Sequence, residues 1–207
     1  MIFDGREGRQ YDAVTEIAFS PNSKRIAYGA QIKDRWFVVV DEKPSEGFDG
    51  VGEVAFSPDS KRAAYMTWSR GKWQVVVDGK AGRAYDGLGA RLQFSPNSRH
   101  LAYAALSGTN WFVVLDGREL LSYEGIFAGT PVFSPDSRHI AYGAHRGDKV
   151  RMVVDGKEGP EHHRILSCAY GGSIIFDPLD SLHYIAMTGD EIHFVKRRFN
   201  PARFCGL

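Results

Sequence analysis

Short apolar segments separated by turn residues recur along the whole chain. Each apolar run ends in an Asp that is followed by Gly or Glu, and these Asp residues stand 37 to 39 positions apart. The segments are short and rich in Val, Ile, Phe and Tyr, so they predict strands rather than helices. The copies are Ile2-Phe3-Asp4-Gly5, Val39-Val40-Asp41-Glu42, Val76-Val77-Asp78-Gly79, Val114-Leu115-Asp116-Gly117 and Val153-Val154-Asp155-Gly156. A strand-rich period of about 40 residues predicts a repeat architecture.

A second phrase, Phe-Ser-Pro-Asx-Ser followed by two basic residues, marks the same period. Pro presets φ for a turn and the Asx side chain bonds the backbone locally, so the phrase predicts a tight turn between two strands. We expect the basic pairs to form a solvated rim beside the hairpin Asp residues. Copies run from Phe19 to Tyr28, Phe56 to Tyr65, Phe94 to Tyr103 and Phe133 to Tyr142, and a diverged one begins at Phe176-Asp177-Pro178.

The second repeat shows the expected unit. Its strands are predicted at residues 51–57, 61–66, 73–77 and 82–86, with a loop over 68–72. Asp78-Gly79 predicts the hairpin between the third and fourth strands. Four antiparallel strands per repeat is the composition of a propeller blade.

Counting the repeats predicts an all-β fold, a five-bladed β-propeller with four-stranded antiparallel blades. We expect a single domain over 1–207. The N-terminal strand, residues 8–12, is expected to complete the last blade beside 191–197, a 1+3 closure that removes two open edges. The repeats are 14–49, 51–86, 88–124, 126–163, and 173–198 plus 1–12.

The phrase Phe-Ser-Pro-Asp-Ser-Lys/Arg-x-Ile-Ala-Tyr resembles the WD-like β-propeller repeat of the TolB type over essentially the whole chain. The chain has no Gly-His or Trp-Asp dipeptide, so the hydrogen-bonded tetrad of true WD repeats is not expected. The resemblance implies a binding scaffold, often for proteins, with no chemistry in the repeat itself.

Composition narrows the expected partners. With 26 basic and 25 acidic residues the net charge is +1, which gives no electrostatic footprint for nucleic acid. No apolar run approaches the roughly 18 residues of a membrane span, so no membrane insertion is expected. We predict a monomer without cofactors. Charged residues follow Met1 closely, which predicts a cytoplasmic protein, or a periplasmic one if a signal peptide was removed.

The loops between second and third strands and the blade connections share one face and vary between repeats, which is typical of a binding surface on a fixed scaffold. Unselected drift of these loops is the alternative. Trp and Arg commonly anchor binding surfaces, and the longest connection spans 165–172. The candidate partner-binding residues are Trp68, Arg70, His145, Arg146, His162, His163 and Tyr170.

An aromatic residue and an acid follow each hairpin Asp at seven and eight positions, except that the last repeat has His162-His163 there. The acids are candidates for a ring at the channel mouth that attracts a cationic group; hydrogen bonds within turns are the alternative. The four acids are Asp12, Asp49, Asp86 and Glu124.

Three alternatives fit the sequence less well: a zinc site, a carbohydrate-binding propeller and a glycosidase. A zinc site would draw on ligand types that suit the metal, but their spacing does not. A carbohydrate-binding propeller would need the same set of polar and aromatic residues in the loop of every blade, and the loops here differ between repeats. A glycosidase needs two carboxylates in different environments, whereas the acids here occupy a copied position. We therefore predict no catalytic residue and no metal. The zinc candidates are His162, His163, Cys168, His183, His193 and Cys205.

Overall fold

The computed structural model of the chain describes residues 2–3, 6–7, 9–15, 17–166, 174–177 and 181–198. The fold is all-β, with antiparallel pairings such as those between Ala63–Ser69 and Lys72–Val77 and between Ile140–Arg146 and Lys149–Val154. Five sheets have four or five strands each, which fits a propeller. The chain divides into two compact units, Met1–Leu88 and Gly89–Leu207.

The first unit holds a hairpin and two sheets. The hairpin is β1 (Ile2–Phe3) and β2 (Arg6–Glu7). Sheet 1 consists of β3 (Ala13–Val14), β4 (Ala18–Phe19), β5 (Ile26–Ile32), β6 (Arg35–Val40) and β7 (Lys43–Pro44). Sheet 2 consists of β8 (Gly50–Phe56), β9 (Ala63–Ser69), β10 (Lys72–Val77) and β11 (Lys80–Tyr85). The unit ends with β12 (Gly87–Leu88).

The second unit holds three sheets. Sheet 3 contains β13 (Gln93–Phe94), β14 (Leu101–Ser107), β15 (Asn110–Leu115) and β16 (Arg118–Tyr123). Sheet 4 consists of β17 (Gly125–Ile126), β18 (Val132–Phe133), β19 (Ile140–Arg146), β20 (Lys149–Val154) and β21 (Lys157–His162). Sheet 5 consists of β22 (Arg164–Ile165), β23 (Ile175–Asp177), β24 (Ser181–Thr188) and β25 (Glu191–Arg198).

The strands of the second repeat lie where the pattern predicts them, with shifted ends. The loop predicted over 68–72 is instead a two-residue turn, because Ser69 pairs with Lys72. Arg70 and Gly71 take positive φ values of 52° and 74° there, as the turns that favour hairpins require. Trp68 therefore lies within a strand.

The predicted Asp-Gly hairpins are confirmed between the third and fourth strands of sheets 1 to 4. Their Asp residues have φ values of 49° to 51°, and the glycines that follow in sheets 2 to 4 have φ values of 72° to 82°. Sheet 1 places Glu42 at this second position with φ 66°. The left-handed region costs a residue with a Cβ about 1–2 kcal/mol, so Glu42 is less favourable there than glycine.

The closing strand is not confirmed. Residues 9–12 carry no strand, and β1 pairs with β2 in a sheet of its own. The register of that hairpin, Ile2 opposite Glu7, matches Val153 opposite Glu158, so it repeats the outer part of a sheet. A ring of five blades with a 1+3 closure stays a prediction.

The cores lie between consecutive sheets within each unit. In the second unit, Val113 and Leu115 of sheet 3 pack with Phe133 and Ile140 of sheet 4. The small residues at one repeated position are fully buried, as close packing of sheets requires. These residues are Ala27, Ala64, Ala102 and Ala141, each 0% exposed. Within the described part of the chain, no helix has both the length and the apolar character needed to span a membrane.

Candidate binding surface

One edge of sheets 1 to 4 carries the Phe-Ser-Pro turns and the hairpins that begin at the repeated Asp, and we call it the hairpin face. In sheet 4, Ser134 Oγ donates to Asp136 Oδ1 at 2.6 Å, and the same carboxylate oxygen accepts from Arg138 N at 3.0 Å. His139 N in turn donates to Ser134 Oγ at 2.9 Å. Sheets 1 to 3 repeat these contacts from Ser20, Ser57 and Ser95, so the phrase forms one locally bonded turn.

The Asp of the hairpin between the third and fourth strands bonds to the residues that end this turn and begin the second strand. Asp155 Oδ1 accepts from Ile140 N at 3.0 Å, and Oδ2 lies 2.6 Å from His139 Nδ1. Asp41, Asp78 and Asp116 bind the matching residues of sheets 1 to 3. The second residue of each basic pair is therefore a structural partner of the hairpin. The expectation of a solvated rim is wrong for His139, which is 1% exposed.

Neighbouring hairpin faces are also joined within each unit. Asn22 N donates to Ser60 Oγ at 3.0 Å, and Asn97 N donates to Ser137 Oγ at 2.9 Å. The Arg25 guanidinium lies 5.1 Å from the centre of the Phe56 ring. The near-identity of this face between repeats thus has a structural cause.

The opposite edge carries the loops between the second and third strands, and we call it the loop face. The predicted acids lie here, and the described contacts favour the turn-bonding alternative. Asp12 Oδ2 accepts from Lys33 N at 2.6 Å, and Asp49 Oδ2 accepts from Arg70 N at 2.8 Å. Glu124 Oε2 accepts from Gly147 N at 3.0 Å. Each acid thus holds the backbone of the next loop.

Two of the acids also pair with cations at the start of a third strand. Arg35 Nη1 lies 2.5 Å from Asp49 Oδ1, and Lys72 Nζ lies 2.5 Å from Asp86 Oδ1. These side chains are 36–50% exposed, so each pair contributes at most about 1 kcal/mol. The pairs neutralise charge that a ring of acids would otherwise offer to a cationic partner.

His163 stands where the other repeats have an acid. Its Nδ1 accepts from Gly189 N at 2.7 Å, which is the same loop contact. Its Nε2 lies 2.7 Å from Lys149 Nζ. A neutral imidazole that accepts at Nδ1 carries its proton at Nε2, so it keeps the loop contact but gives Lys149 no acceptor.

In the first unit, the candidate Trp68 lies in β9 and the candidate Arg70 lies in the turn that follows it. The Trp68 side chain is 38% exposed, and its ring packs over Gly50, where an added Cβ would meet Trp68 Cε3 at 3.6 Å. Arg70 is exposed, and its backbone is held by Asp49. The pair therefore presents an aromatic and a cationic group from a fixed backbone.

In the second unit, His145 and Arg146 end strand β19. The ring of His145 stacks on Phe127 with centroids 6.4 Å apart. A Cβ at Gly125 would stand 2.1 Å from His145 Nε2, so the absence of a side chain there makes room for the ring. Arg146 lies over Tyr123 at 5.3 Å and is 54% exposed. Arg146 is the more accessible of the two.

His162 is buried, at 6% exposed, which excludes its side chain from direct contact with a partner. Its Nδ1 lies 3.1 Å from Thr188 Oγ1, and its ring meets Tyr184 edge to face at 5.9 Å. Burial lowers the pKa of His162, and His193 adds to the effect. Tyr170, the remaining candidate, lies outside the described residues.

The metal hypothesis gains no geometric support from the described residues, which contain no group of three or more His, Cys, Asp or Glu placed to hold an ion. Cys168 and Cys205 lie outside them. His183 is instead bound to Asp177, with Nδ1 2.7 Å from Oδ1.

The sequence reasoning missed a cleft of about 540 Å³ in the first unit, between sheets 1 and 2. Its walls include Val38 and Tyr65, and its rim includes Lys43 and Lys61. Strand β7 has two residues where β11 has six, and it too lines the cleft. Pro44, which has no N–H for a ladder, was the available signal.

No protein-family model matches the chain, and no curated protein matches it. Among solved structures, TolB from Acinetobacter baumannii is 15% identical with a TM-score of 0.45. The match covers 90% of this chain and 52% of the TolB chain, so this chain spans about half the length of that protein.

Two other structures cover more of their own length. A putative TolB from Agrobacterium tumefaciens is 13% identical with a TM-score of 0.44, over 90% of this chain and 77% of that one. The β-propeller domain of the trilobed protease from Pyrococcus furiosus is 11% identical with a TM-score of 0.49, over 91% and 70%. The solved structures to which this chain is similar are thus TolB-type and other β-propellers.

Proposed function

We propose that the chain is a non-catalytic scaffold that binds a protein or peptide through the loop face. The observation that carries the proposal is a contrast within that face. The loop backbones are held by one repeated contact, from Asp12, Asp49, Glu124 and His163, while the loop side chains differ from repeat to repeat.

A fixed backbone favours binding because less conformational freedom is lost when a partner docks. The first unit supplies Trp68 and Arg70, and the second unit separately supplies Arg146; aromatic and arginine side chains commonly anchor partners. Asp49, the acid beside Trp68 and Arg70, is occupied by a backbone N–H group and by the Arg35 guanidinium, so the exposed Arg70 side chain remains for an acidic group. A peptide with acidic and apolar residues is therefore the proposed class of partner.

The same contacts support a non-catalytic function. Asp12, Asp49 and Glu124 each accept from a loop N–H in the same way. A general acid and a general base need environments that separate their pKa values, and a repeated environment does not provide that difference.

A displayed library of random peptides tests the proposal, with the immobilised chain as bait. Wild type is expected to enrich acidic peptides, and the double variant Trp68→Ala Arg70→Ala is expected to lose most of that enrichment. The matched control is Lys80→Ala, an exposed cation at the start of β11, which should keep it. Thermal melts show whether all three chains are folded; Lys80→Ala should melt like wild type, and the double variant somewhat lower, because Trp68 also packs over Gly50.

Failure to enrich any peptide, or equal enrichment by the double variant, would contradict the proposal. The alternative is a small-ligand or carbohydrate-binding propeller, favoured by the cleft of about 540 Å³ between sheets 1 and 2, a volume typical of ligand sites. Glycan-array hits that the double variant retains would support that alternative.

A further inference from the structure

The cleft between sheets 1 and 2 has a counterpart in the second unit that is filled by side chains. Three large apolar residues pack in the cluster between sheets 3 and 4. The residues at the same repeat positions in the first unit are smaller, and all three line the cleft of about 540 Å³. Aligned by the repeated Asp residues, the three pairs are Leu115 and Val40, Leu120 and Ser45, and Ile140 and Ala63.

The walls of this space are apolar in both units. Val38 and Tyr65 lie in the core cluster between sheets 1 and 2, and the matching residues Val113 and Tyr142 lie in the cluster between sheets 3 and 4. Val40 is only partly buried, whereas its counterpart in the second unit is 4% exposed. Apolar wall surface that remains uncovered favours a ligand with an apolar body, because removal of such surface from water drives binding.

The side chains that line the cleft carry an excess of positive charge. Its two acids are each bound by an arginine, so they offer little charge to a ligand. Lys43 and Lys61 also line the cleft, and both residues are exposed. Neither ammonium group has an ion-pair partner among the described residues. The two occupied pairs are Arg25 with Asp41 at 2.7 Å and Arg62 with Asp78 at 3.0 Å.

We infer that this cleft binds a small organic anion with an apolar body, such as an aromatic carboxylate or sulfonate. The apolar body takes the place of the side chains that fill the same space in the second unit, and Lys43 and Lys61 face the anionic group. The volume of the cleft is within the range of small-ligand sites. The cleft lies beside the hairpin face, whereas Trp68 and Arg70 lie at the loop face, so the inference does not depend on the proposed peptide binding.

Fluorescence titration with anilinonaphthalene sulfonate tests the inference, because this probe combines an apolar body with one anionic group. Wild type is expected to bind the probe. The variant Val40→Leu Ala63→Ile carries the residues of the second unit, and it should weaken binding by about tenfold or more because it fills the cleft. Its melting temperature should not fall below that of wild type, because the added groups pack between apolar walls. Ser45 is kept, since its Oγ accepts from Val38 N at 3.0 Å.

A second variant, Lys43→Ala Lys61→Ala, leaves the walls intact and should also weaken binding by about tenfold. The matched control is Arg118→Ala Arg138→Ala, which removes the cations at the same two repeat positions beside the filled counterpart. This control should bind the probe like wild type. Circular dichroism shows whether each chain is folded, and Ala63→Ile alone replaces the filled variant if that variant is not.

Naphthoate should displace the probe from wild type, because the same site accepts a carboxylate. A wild type that binds no probe would overturn the inference, as would a filled variant that binds as tightly as wild type. Neutral anilinonaphthalene that binds as tightly as the sulfonate would overturn the preference for an anion. A loss in the arginine control as large as that in the lysine variant would place the bound probe elsewhere on the surface and overturn the site.

Discussion

Sheets 4 and 5 share the arrangement of their inner, second and third strands, but they differ in what covers those strands; β21 of sheet 4 has no counterpart in the described part of sheet 5. Met152 of sheet 4 is 0% exposed, and its counterpart Phe194 of sheet 5 is 66% exposed. His139 binds the hairpin residue Asp155, whereas His183 binds Asp177 of the inner strand. The comparison teaches that the repeat specifies strands and turns locally, while burial at each position depends on the sheet packed against it.

The largest expected effect is a difference in the free energy of unfolding when matched side chains of the two sheets are truncated to Ala. Met152→Ala should lower the free energy of unfolding by about 3 kcal/mol, because it removes a fully buried side chain and leaves a cavity. Phe194→Ala should cost less than about 1 kcal/mol, because the lost side chain is mostly in water. Urea denaturation at a dilution where the chain is monomeric measures both. Equal losses at the two positions would refute the comparison.

The second prediction concerns the pH dependence that His162 brings to the boundary of sheets 4 and 5. Its pKa is lowered on folding by burial and by His193, so the unfolded state binds more protons as the pH falls through its unfolded value of about 6.5. The stability linked to His162 is present above that value and is lost below it.

Replacement of His162 by Phe, the residue that the first repeat has as Phe48, should remove this contribution. The free energy of unfolding, measured by urea denaturation at several pH values, should fall less steeply in acid for the variant than for wild type. The histidines that do not interact with His162 are common to both chains, so their contributions largely cancel in the difference. Parallel curves for the two chains would mean that His162 does not titrate as inferred.

The smallest effect is expected from restoring the acid of the other repeats at position 163. His163→Asp gives Gly189 N an acceptor and Lys149 a carboxylate, as Asp86 gives Lys72 one. The stability should rise by less than about 1 kcal/mol, since the site is exposed. His163→Asn is the control, because it offers a cap without charge. The advantage of Asp over Asn should shrink in high salt; an advantage that does not change with salt would exclude the ion pair.

The strands and the hairpins could be predicted from the sequence because they depend on local residues. Asp78-Gly79 specifies its turn through positive φ at both positions, and alternating apolar residues specify the strands around it. The Arg70-Gly71 turn cannot be predicted in this way, since an Arg residue gives little sign that it adopts a φ of 52°.

Contacts between residues far apart in the chain could not be predicted in the same way. The bond from His139 to Asp155 spans 16 positions, and it became visible only once the two strands were paired. The candidate surface was partly predictable: Trp68 and Arg146 are accessible, but His162 is buried because Tyr184 and Thr188 enclose it. Burial of one polar residue depends on neighbours far along the chain, which a single pattern does not reveal.

The hydrogen bonds from Asn22 to Ser60 and from Asn97 to Ser137 have a consequence for how the molecule unfolds. Sheets 2 and 4 each accept a bond from the turn of the sheet before them, so loss of either sheet leaves a backbone donor of its neighbour without that acceptor. With nearest-neighbour coupling of this kind, the stability of a repeat array is the sum of the intrinsic stability of each repeat and of the interfaces between neighbours. Within each unit, melting of a sheet should therefore weaken the sheet that precedes it more than a simple sum of independent sheets would allow.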